Sequence, residues 1–145
     1  MKKFRFRLEQ VLRYRRIERD EKKRVLIQAQ GELRTAEDQL QFLESERLKN
    51  EVNQAQNLPV EQYMLAGLYM DRLKTKIHEQ RIVIQKQEEV VQAAMAAYIE
   101  ASKESKTLES LKEKREREYN ERVAHLEAQF LDEVATLRGN TMRES

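Results

Sequence analysis

The sequence predicts an all-α fold: a long two-helix antiparallel coiled-coil hairpin with an overhanging C-terminal helix end. Of 145 residues, 54 are charged and only 4 are Gly or Pro. Four such residues cannot supply the turns of an all-β fold, and a 39% hydrophobic fraction is too polar for a compact core of ordinary size. Apolar residues recur instead at alternating spacings of three and four, which is typical of a coiled-coil seam.

The first helix is predicted over about residues 5–54, followed by a turn over about 55–59. Pro59, the only proline, disfavours the helical conformation in Leu58 and suits the first position of a new helix. The chain is therefore expected to break here and fold back on itself. The seam of this first helix is predicted to contain Leu8, Leu12, Leu26, Ala29, Leu33, Ala36, Leu40 and Leu43.

The second helix is predicted over about residues 60–138 of a single domain that spans residues 1–145. Gly139 and Asn140 offer a helix end, so residues 139–145 are predicted to form a disordered tail. The seam repeats for six heptads after the break. It is predicted to contain Tyr63, Ala66, Met70, Leu73, Ile77, Gln80, Ile84, Gln87, Val91, Ala94, Tyr98, Ala101, Ser105 and Leu108.

The pairing of the two helices follows from residue numbers. When two antiparallel helices fold about one turn, the numbers of any two residues that face each other add to the same value. A sum of 113 places the turn beside Pro59, whereas sums shifted by seven also keep the heptads in phase. Gln80 and Gln87 then face leucines of the first helix, where they thin the core and are expected to fix the register. Pairs at this sum include Leu43 with Met70, Leu40 with Leu73, and Ala36 with Ile77.

The second helix is longer than the first, so about 25 residues, or about 38 Å of helix, are expected to project beyond about Lys112. The first part of this overhang has mixed charge, with i,i+4 pairs Lys112/Glu116, Glu113/Arg117 and Lys114/Glu118. The second part has an apolar stripe that is a candidate docking surface. Alternatively, Phe4, Phe6 and Leu8 fold back on part of it, or two chains dimerise there. The stripe contains Val123, Leu126, Phe130, Val134 and Leu137.

Charge is distributed unevenly along the chain. Residues 1–24 contain 11 Lys or Arg and 4 acids, a net charge of +7, although the whole chain carries only +2. A basic end of this kind is expected to meet an acidic partner, which is a protein, a nucleic acid or a lipid headgroup. Glu9, Glu18, Asp20 and Glu21 interrupt the basic patch, and the apolar face beside it is short. Both features disfavour nucleic acid and membrane-surface binding.

No catalytic, cofactor or metal site is predicted. The chain has no cysteine, and its two histidines, His78 and His125, lie in no HExxH or di-iron motif. Acid pairs such as Glu88-Glu89 lie on helices without a pocket around them, so they do not support acid–base catalysis. We therefore expect a protein that is not an enzyme. Membrane insertion is not expected either, because no apolar run is long enough to cross a bilayer.

Two segments carry a family resemblance that extends over nearly the whole length. They are Phe4 to Arg15, with the sequence FRFRLEQVLRYR, and Glu109 to Tyr119, with the sequence ESLKEKREREY; Leu131 to Ala135, LDEVA, follows downstream. In these segments, in its size and in its central break, the chain resembles the family of the flagellar export protein FliJ. These are short cytoplasmic coiled-coil proteins of the flagellar type III export apparatus.

The resemblance implies a stalk-like coiled coil, similar to the central stalk subunit of rotary ATPases. It would bind the hexameric export ATPase FliI, favour ring assembly and activity, and link the ring to the export gate protein FlhA and to export chaperones. The implied location is cytoplasmic, peripherally associated with the cytoplasmic face of the flagellar basal body. The implied protein binds no nucleic acid and is expected to be monomeric in isolation.

The resemblance also suggests where the ring is bound. By analogy with stalk subunits, the hairpin end with both termini is the expected ATPase contact. The alternative function is a structural homodimeric coiled-coil spacer, or a stalk subunit of another rotary ATPase. The hypothesised protein-binding residues are Arg13, Arg15, Arg16 and Arg19, together with Leu126, Phe130 and Val134.

Overall fold

The protein is a helical hairpin. In the computed structural model, which describes residues 3–144, helix α1 spans Glu9–Gln54 and helix α2 spans Val60–Glu144. The two helices pack against each other, and no strand occurs among the described residues, so the predicted fold class is confirmed. Within the same range, neither helix has a stretch that is long and apolar enough to cross a membrane.

The packed residues fall into two units, each with a segment of both helices. Unit 1 comprises the described residues up to Glu18 and those from Ala101 onward. Unit 2 comprises Arg19–Glu100 and includes the turn. Each unit is thus a pair of helix segments with its own buried side chains.

Helix α1 begins at Glu9, four residues later than the predicted start near residue 5. A turn at Arg7 and Leu8 precedes it, and the amide of Glu9 donates to the carbonyl oxygen of Phe6 at 3.1 Å. Apolar residues alternate with basic ones over residues 3–8, so an irregular extended chain buries every second side chain, whereas a helix would spread them around its surface.

The other helix ends lie at Gln54, Val60 and Glu144. Pro59 directly precedes α2, and its carbonyl oxygen accepts a hydrogen bond from the amide of Tyr63 at 3.0 Å. At the far end, the helix continues through Gly139, where the sequence predicted a helix end and a disordered tail. No glycine in the described residues has a positive φ, so the left-handed cap that ends many helices is not formed at Gly139. Residue 145 lies outside the described residues.

The core of unit 2 is a narrow seam. Leu43, Leu73 and Ile77 form a buried cluster against which Leu40 packs, and these are four of the predicted seam residues. Tyr63 was predicted to belong to the same seam but is 55% exposed. The last buried residue of α1 before its end at Gln54 is Asn50, and its side chain contacts Ala66 of α2. Also buried along the seam of unit 2 are Leu26, Ala29, Asn50 and Met70.

Three amide side chains cross the seam of unit 2, and each donates to a backbone carbonyl oxygen of the facing helix. In all three, the acceptor belongs to an alanine, whose small side chain lets the amide approach the backbone. The two residue numbers add to 116 each time, within three of the predicted sum of 113. These amide bridges run from Asn50 to Ala66 at 3.0 Å, from Gln80 to Ala36 at 2.9 Å, and from Gln87 to Ala29 at 3.1 Å.

The buried residues of unit 1 are fewer and smaller. Leu12 and Ser105 have no exposed surface, and Ala101 is 5% exposed. The hydroxyl of Ser105 lies 3.4 Å from a carboxylate oxygen of Glu109, one turn further along α2. With so little apolar area to bury, unit 1 relies more on polar contacts than unit 2 does.

Candidate partner-binding surfaces

Two of the four arginines that the sequence predicted to bind a partner form ion pairs between the helices of unit 1. A guanidinium nitrogen of Arg15 lies 2.7 Å from Glu104 and 3.1 Å from Glu18. The Nε of Arg16 lies 3.0 Å from Glu109. The pairs with Glu104 and Glu109 are partly exposed, and each places a residue of α1 opposite one of α2; Glu18 lies on α1 itself. The charge of the two arginines is therefore largely compensated within the protein.

A third ion pair crosses unit 1 between Lys112 and Glu9. The ammonium of Lys112 donates to a carboxylate oxygen of Glu9 at 2.8 Å, and this hydrogen bond is the main reason that the pKa of Glu9 lies below its ordinary value. The charges of Lys112, Arg13 and Arg16 lower this pKa further. The predicted i,i+4 pair of Lys112 with Glu116 is not formed, because Lys112 has a carboxylate opposite it on α1. The other two predicted i,i+4 pairs are likewise absent from the described ion pairs.

The Glu9–Lys112 pair predicts a pH dependence of stability. Because the folded protein lowers the pKa of Glu9, the pair stabilises it above the unfolded pKa of about 4.5 and loses this effect as the pH falls through the folded pKa. Glu9→Gln is expected to lower the thermal midpoint at pH 7, with the difference from wild type disappearing near pH 3. Circular dichroism melts between pH 3 and 7 measure this. Glu113→Gln, which removes an exposed acid, is the control, and its effect on the thermal midpoint should not depend on pH in this way. If Glu9→Gln lowered the midpoint by the same amount at pH 3 as at pH 7, the Glu9–Lys112 pair would not be the cause.

The two remaining predicted arginines differ from each other. The side chain of Arg13 is 72% exposed, and its Nε lies 3.9 Å from Glu9. Arg19, in unit 2, lies 3.1 Å from the carboxylate of its neighbour Asp20. Among the four, Arg13 therefore offers the most accessible positive charge to a partner.

A groove in unit 1, here called the cationic groove, lies between the N-terminal segment 3–8 and α2. The rings of Phe4 and Tyr119 pack against each other with their centres 5.7 Å apart and their planes inclined by 42°. The groove has a volume of about 630 Å³. Its lining residues are Lys3, Phe4, Arg5, Phe6, Arg7, Leu8, Leu111, Arg115, Tyr119 and Arg122.

The sequence-based hypothesis omitted this groove, although one signal was present. Residues 3–8 alternate strictly between basic and apolar, a period of two that is typical of an extended segment with one face covered. In the structure, Phe4, Phe6 and Leu8 are half-buried and the basic residues between them are exposed. The segment also covers α2 as far as Arg122, ten residues beyond the limit near Lys112 that the sequence predicted.

The apolar stripe of α2 lies beyond the cationic groove. Leu126 is 54% exposed, Phe130 is 64% exposed and Leu137 is 65% exposed, while Val123 and Val134 are half-buried. From Val123 onward, no described residue of the N-terminal segment or of α1 covers this face. The stripe is therefore an apolar surface that no other described segment of the chain covers.

The structure does not join the arginines and the stripe into one surface. Arg16 pairs with Glu109, and Leu126 follows Glu109 by 17 residues. At 1.5 Å per residue, this separation corresponds to about 25 Å along α2. The hypothesised site is thus divided: Arg13, Arg15 and Arg16 form one surface of unit 1, the stripe forms another, and Arg19 belongs to unit 2. The cationic groove lies between the two surfaces of unit 1 along α2.

Unit 2 has an exposed apolar surface of its own near the turn. Leu65, Leu68 and Tyr69 line one shallow groove, and Phe42, Tyr69 and Val83 contribute to another. Clustered exposed apolar side chains of this kind are a candidate contact with other macromolecules. We call this the turn-side surface, and its exposed members are Phe42, Leu48, Val52, Val60, Tyr63, Met64, Leu65, Leu68 and Tyr69.

The helical hairpin defines a class of protein: a two-helix coiled coil, whose exposed apolar and charged surfaces are candidates for contact with other macromolecules. The family model described as Flagellar FliJ protein matches residues 4–144. The chain belongs to this family and is a component of flagellar protein export, in which the family has a non-catalytic role. No curated protein and no solved structure matches the chain.

Proposed function

We propose that the protein acts as a stalk-like coiled coil in the flagellar export apparatus. It binds the ring of the export ATPase, promotes ring assembly and activity, and links the ring to the export gate protein and to export chaperones. It does so at the cytoplasmic face of the flagellar basal body without inserting into the membrane. Membership of the FliJ family supports the setting, and the surfaces described above supply the contacts.

The observation that carries the ATPase contact is the apolar stripe. Phe130 exposes 64% of its surface at the centre of the stripe, flanked by Leu126 and Val134 one turn away on either side. A helix face with anchors at i, i+4 and i+8 suits insertion into an apolar groove of a partner. Arg13 adds an accessible positive charge to the same unit.

The turn-side surface supports the contact with the export gate and the chaperones. It belongs to unit 2 and the stripe to unit 1, so the two surfaces share no residue. Tyr69 donates to Glu46 at 3.4 Å and remains 43% exposed, which leaves an aromatic face for a partner. We assign the gate or a chaperone to this surface, as partners that bind without displacing the ATPase.

The proposal is tested with purified proteins. The activity of the flagellar export ATPase is measured with and without the full-length chain, and ring assembly is followed by light scattering. We expect stimulation, ring formation at lower ATPase concentration, and a mass of 17.4 kDa for the free chain. An ATPase that neither binds nor responds to the chain would refute the proposal, and a stable elongated dimer would favour the homodimeric spacer instead.

A further inference from the structure

The cationic groove concentrates positive charge far beyond the rest of the chain. Five of its ten lining residues are Lys or Arg, and none is Asp or Glu. The whole chain, in contrast, has 26 acids and a net charge of only +2. Like charges held within a groove of about 630 Å³ repel one another, so a negatively charged occupant is attracted.

The cations of the N-terminal segment are not compensated within the protein. Arg5 and Arg7 are exposed, and neither forms an ion pair with any described residue. Arg15 and Arg16, only a few residues further along, both pair with carboxylates of α2. The guanidinium groups of Arg5 and Arg7 therefore keep their donors for carboxylates from outside the chain, which they bind in bidentate geometry.

The apolar residues of the groove restrict the kind of occupant. Phe4, Phe6 and Leu8 lie on the inner side of the segment and are half-buried, and Leu111 and Tyr119 lie opposite them on α2. An occupant that fills this space must carry apolar side chains as well as negative charge. A short acidic peptide with one or two apolar residues meets both requirements.

We propose that the cationic groove binds a short acidic peptide segment, with at least one apolar side chain, of a partner protein in the export apparatus. This inference rests on the proposed function, because it gives the chemistry of a partner contact in unit 1. The concave shape favours a peptide over a bilayer surface. Of its three aromatic rings, Phe4 and Tyr119 pack against each other and Phe6 is half-buried, which disfavours the stacking of successive bases that single-stranded nucleic acid uses.

The test measures the fluorescence anisotropy of a short labelled peptide of glutamates and aspartates interrupted by one Phe and one Leu. We expect the full-length protein to bind it, with an affinity that falls as salt is added. Arg5→Glu/Arg7→Glu should weaken binding by at least about tenfold, since it reverses two uncompensated charges outside the helices. Lys23→Glu/Lys106→Glu reverses two exposed charges outside the groove and should change binding less than about twofold.

Several outcomes would overturn the inference. They are no binding by the wild type, equal binding by the Arg5→Glu/Arg7→Glu variant, and binding of phosphatidylserine vesicles or single-stranded RNA in preference to the peptide. Assays of ATPase stimulation on the same proteins separate the two proposals. Stimulation by a wild-type chain that does not bind the peptide removes the groove inference alone, while peptide binding without stimulation removes the ATPase contact alone.

Discussion

Phe130→Asp is expected to abolish most of the stimulation of the export ATPase. Phe130 lies at the centre of the apolar stripe, and a buried aromatic anchor typically contributes about 2 kcal/mol or more to an interface, which corresponds to about a 30-fold change in affinity. A charged carboxylate at this position would also have to be desolvated on binding. The measurement is the concentration of the chain that gives half-maximal ATPase activity, which we expect to rise by at least this factor.

Leu131→Asp is the matched control for Phe130→Asp. Leu131 is 65% exposed, almost the same as Phe130, but it lies about 100° around the helix and outside the stripe. Both variants should retain the helical content of the wild type, because neither side chain is buried. Equal loss of stimulation in the two variants would show that the stripe is not the specific contact. Normal stimulation by Phe130→Asp would contradict the proposal that the ATPase binds the stripe.

The basic residues of α1 require a different variant from the one that the sequence suggests. Reversing Arg15 or Arg16 would place a glutamate opposite Glu104 or Glu109, so any loss of activity would report on the pairing of the helices. Arg13 avoids this problem because it is mostly exposed. Its described ion pair, with Glu9 on the same helix, is long at 3.9 Å, so its reversal reports more directly on partner binding.

Leu73→Ala is expected to have the largest effect on stability. Leu73 is 3% exposed and belongs to the buried cluster with Leu43 and Ile77. Truncation of a buried leucine costs about 2–5 kcal/mol, from lost apolar burial and from the cavity that remains. A small domain has only about 5–15 kcal/mol in total. Urea unfolding followed by helical circular dichroism should therefore show a markedly lower midpoint.

The control for Leu73→Ala is Leu68→Ala on the same helix. Leu68 is 65% exposed, so its truncation should change the free energy of unfolding by no more than about 0.5 kcal/mol. If both substitutions lowered the midpoint equally, the seam of unit 2 would not be where the structure has it. Ile77→Ala, at 2% exposure, should reproduce the effect of Leu73→Ala.

The fold could be predicted from the sequence because the spacing of apolar residues identifies the residues of the seam. Leu12, Leu26, Leu43, Leu73 and Ile77 were all predicted seam residues, and all are buried. Spacing alone left registers shifted by seven open, because the heptads stay in phase. The amide bridges distinguish them: a shift by one heptad in either direction leaves an alanine opposite only one of the three amides.

The surfaces could be predicted only in part. The stripe was found because Leu126, Phe130 and Val134 share one helical face. The ion pairs of Arg15 and Arg16 could not be found in this way, because they depend on how far long side chains reach across to α2. The cationic groove was missed because a helix was predicted from about residue 5. In a helix, the apolar side chains of this segment would point in different directions, whereas the observed segment places them on one side.

The amide bridges also bear on how unit 2 would respond to force. A pull along one helix tends to shear it past its neighbour, and apolar side chains in a heptad seam resist this weakly because they re-form similar contacts one repeat further on. Hydrogen bonds from Gln80 and Gln87 to backbone carbonyls must break before any sliding begins. Unit 2 is thus suited to resist an axial force without sliding of one helix along the other.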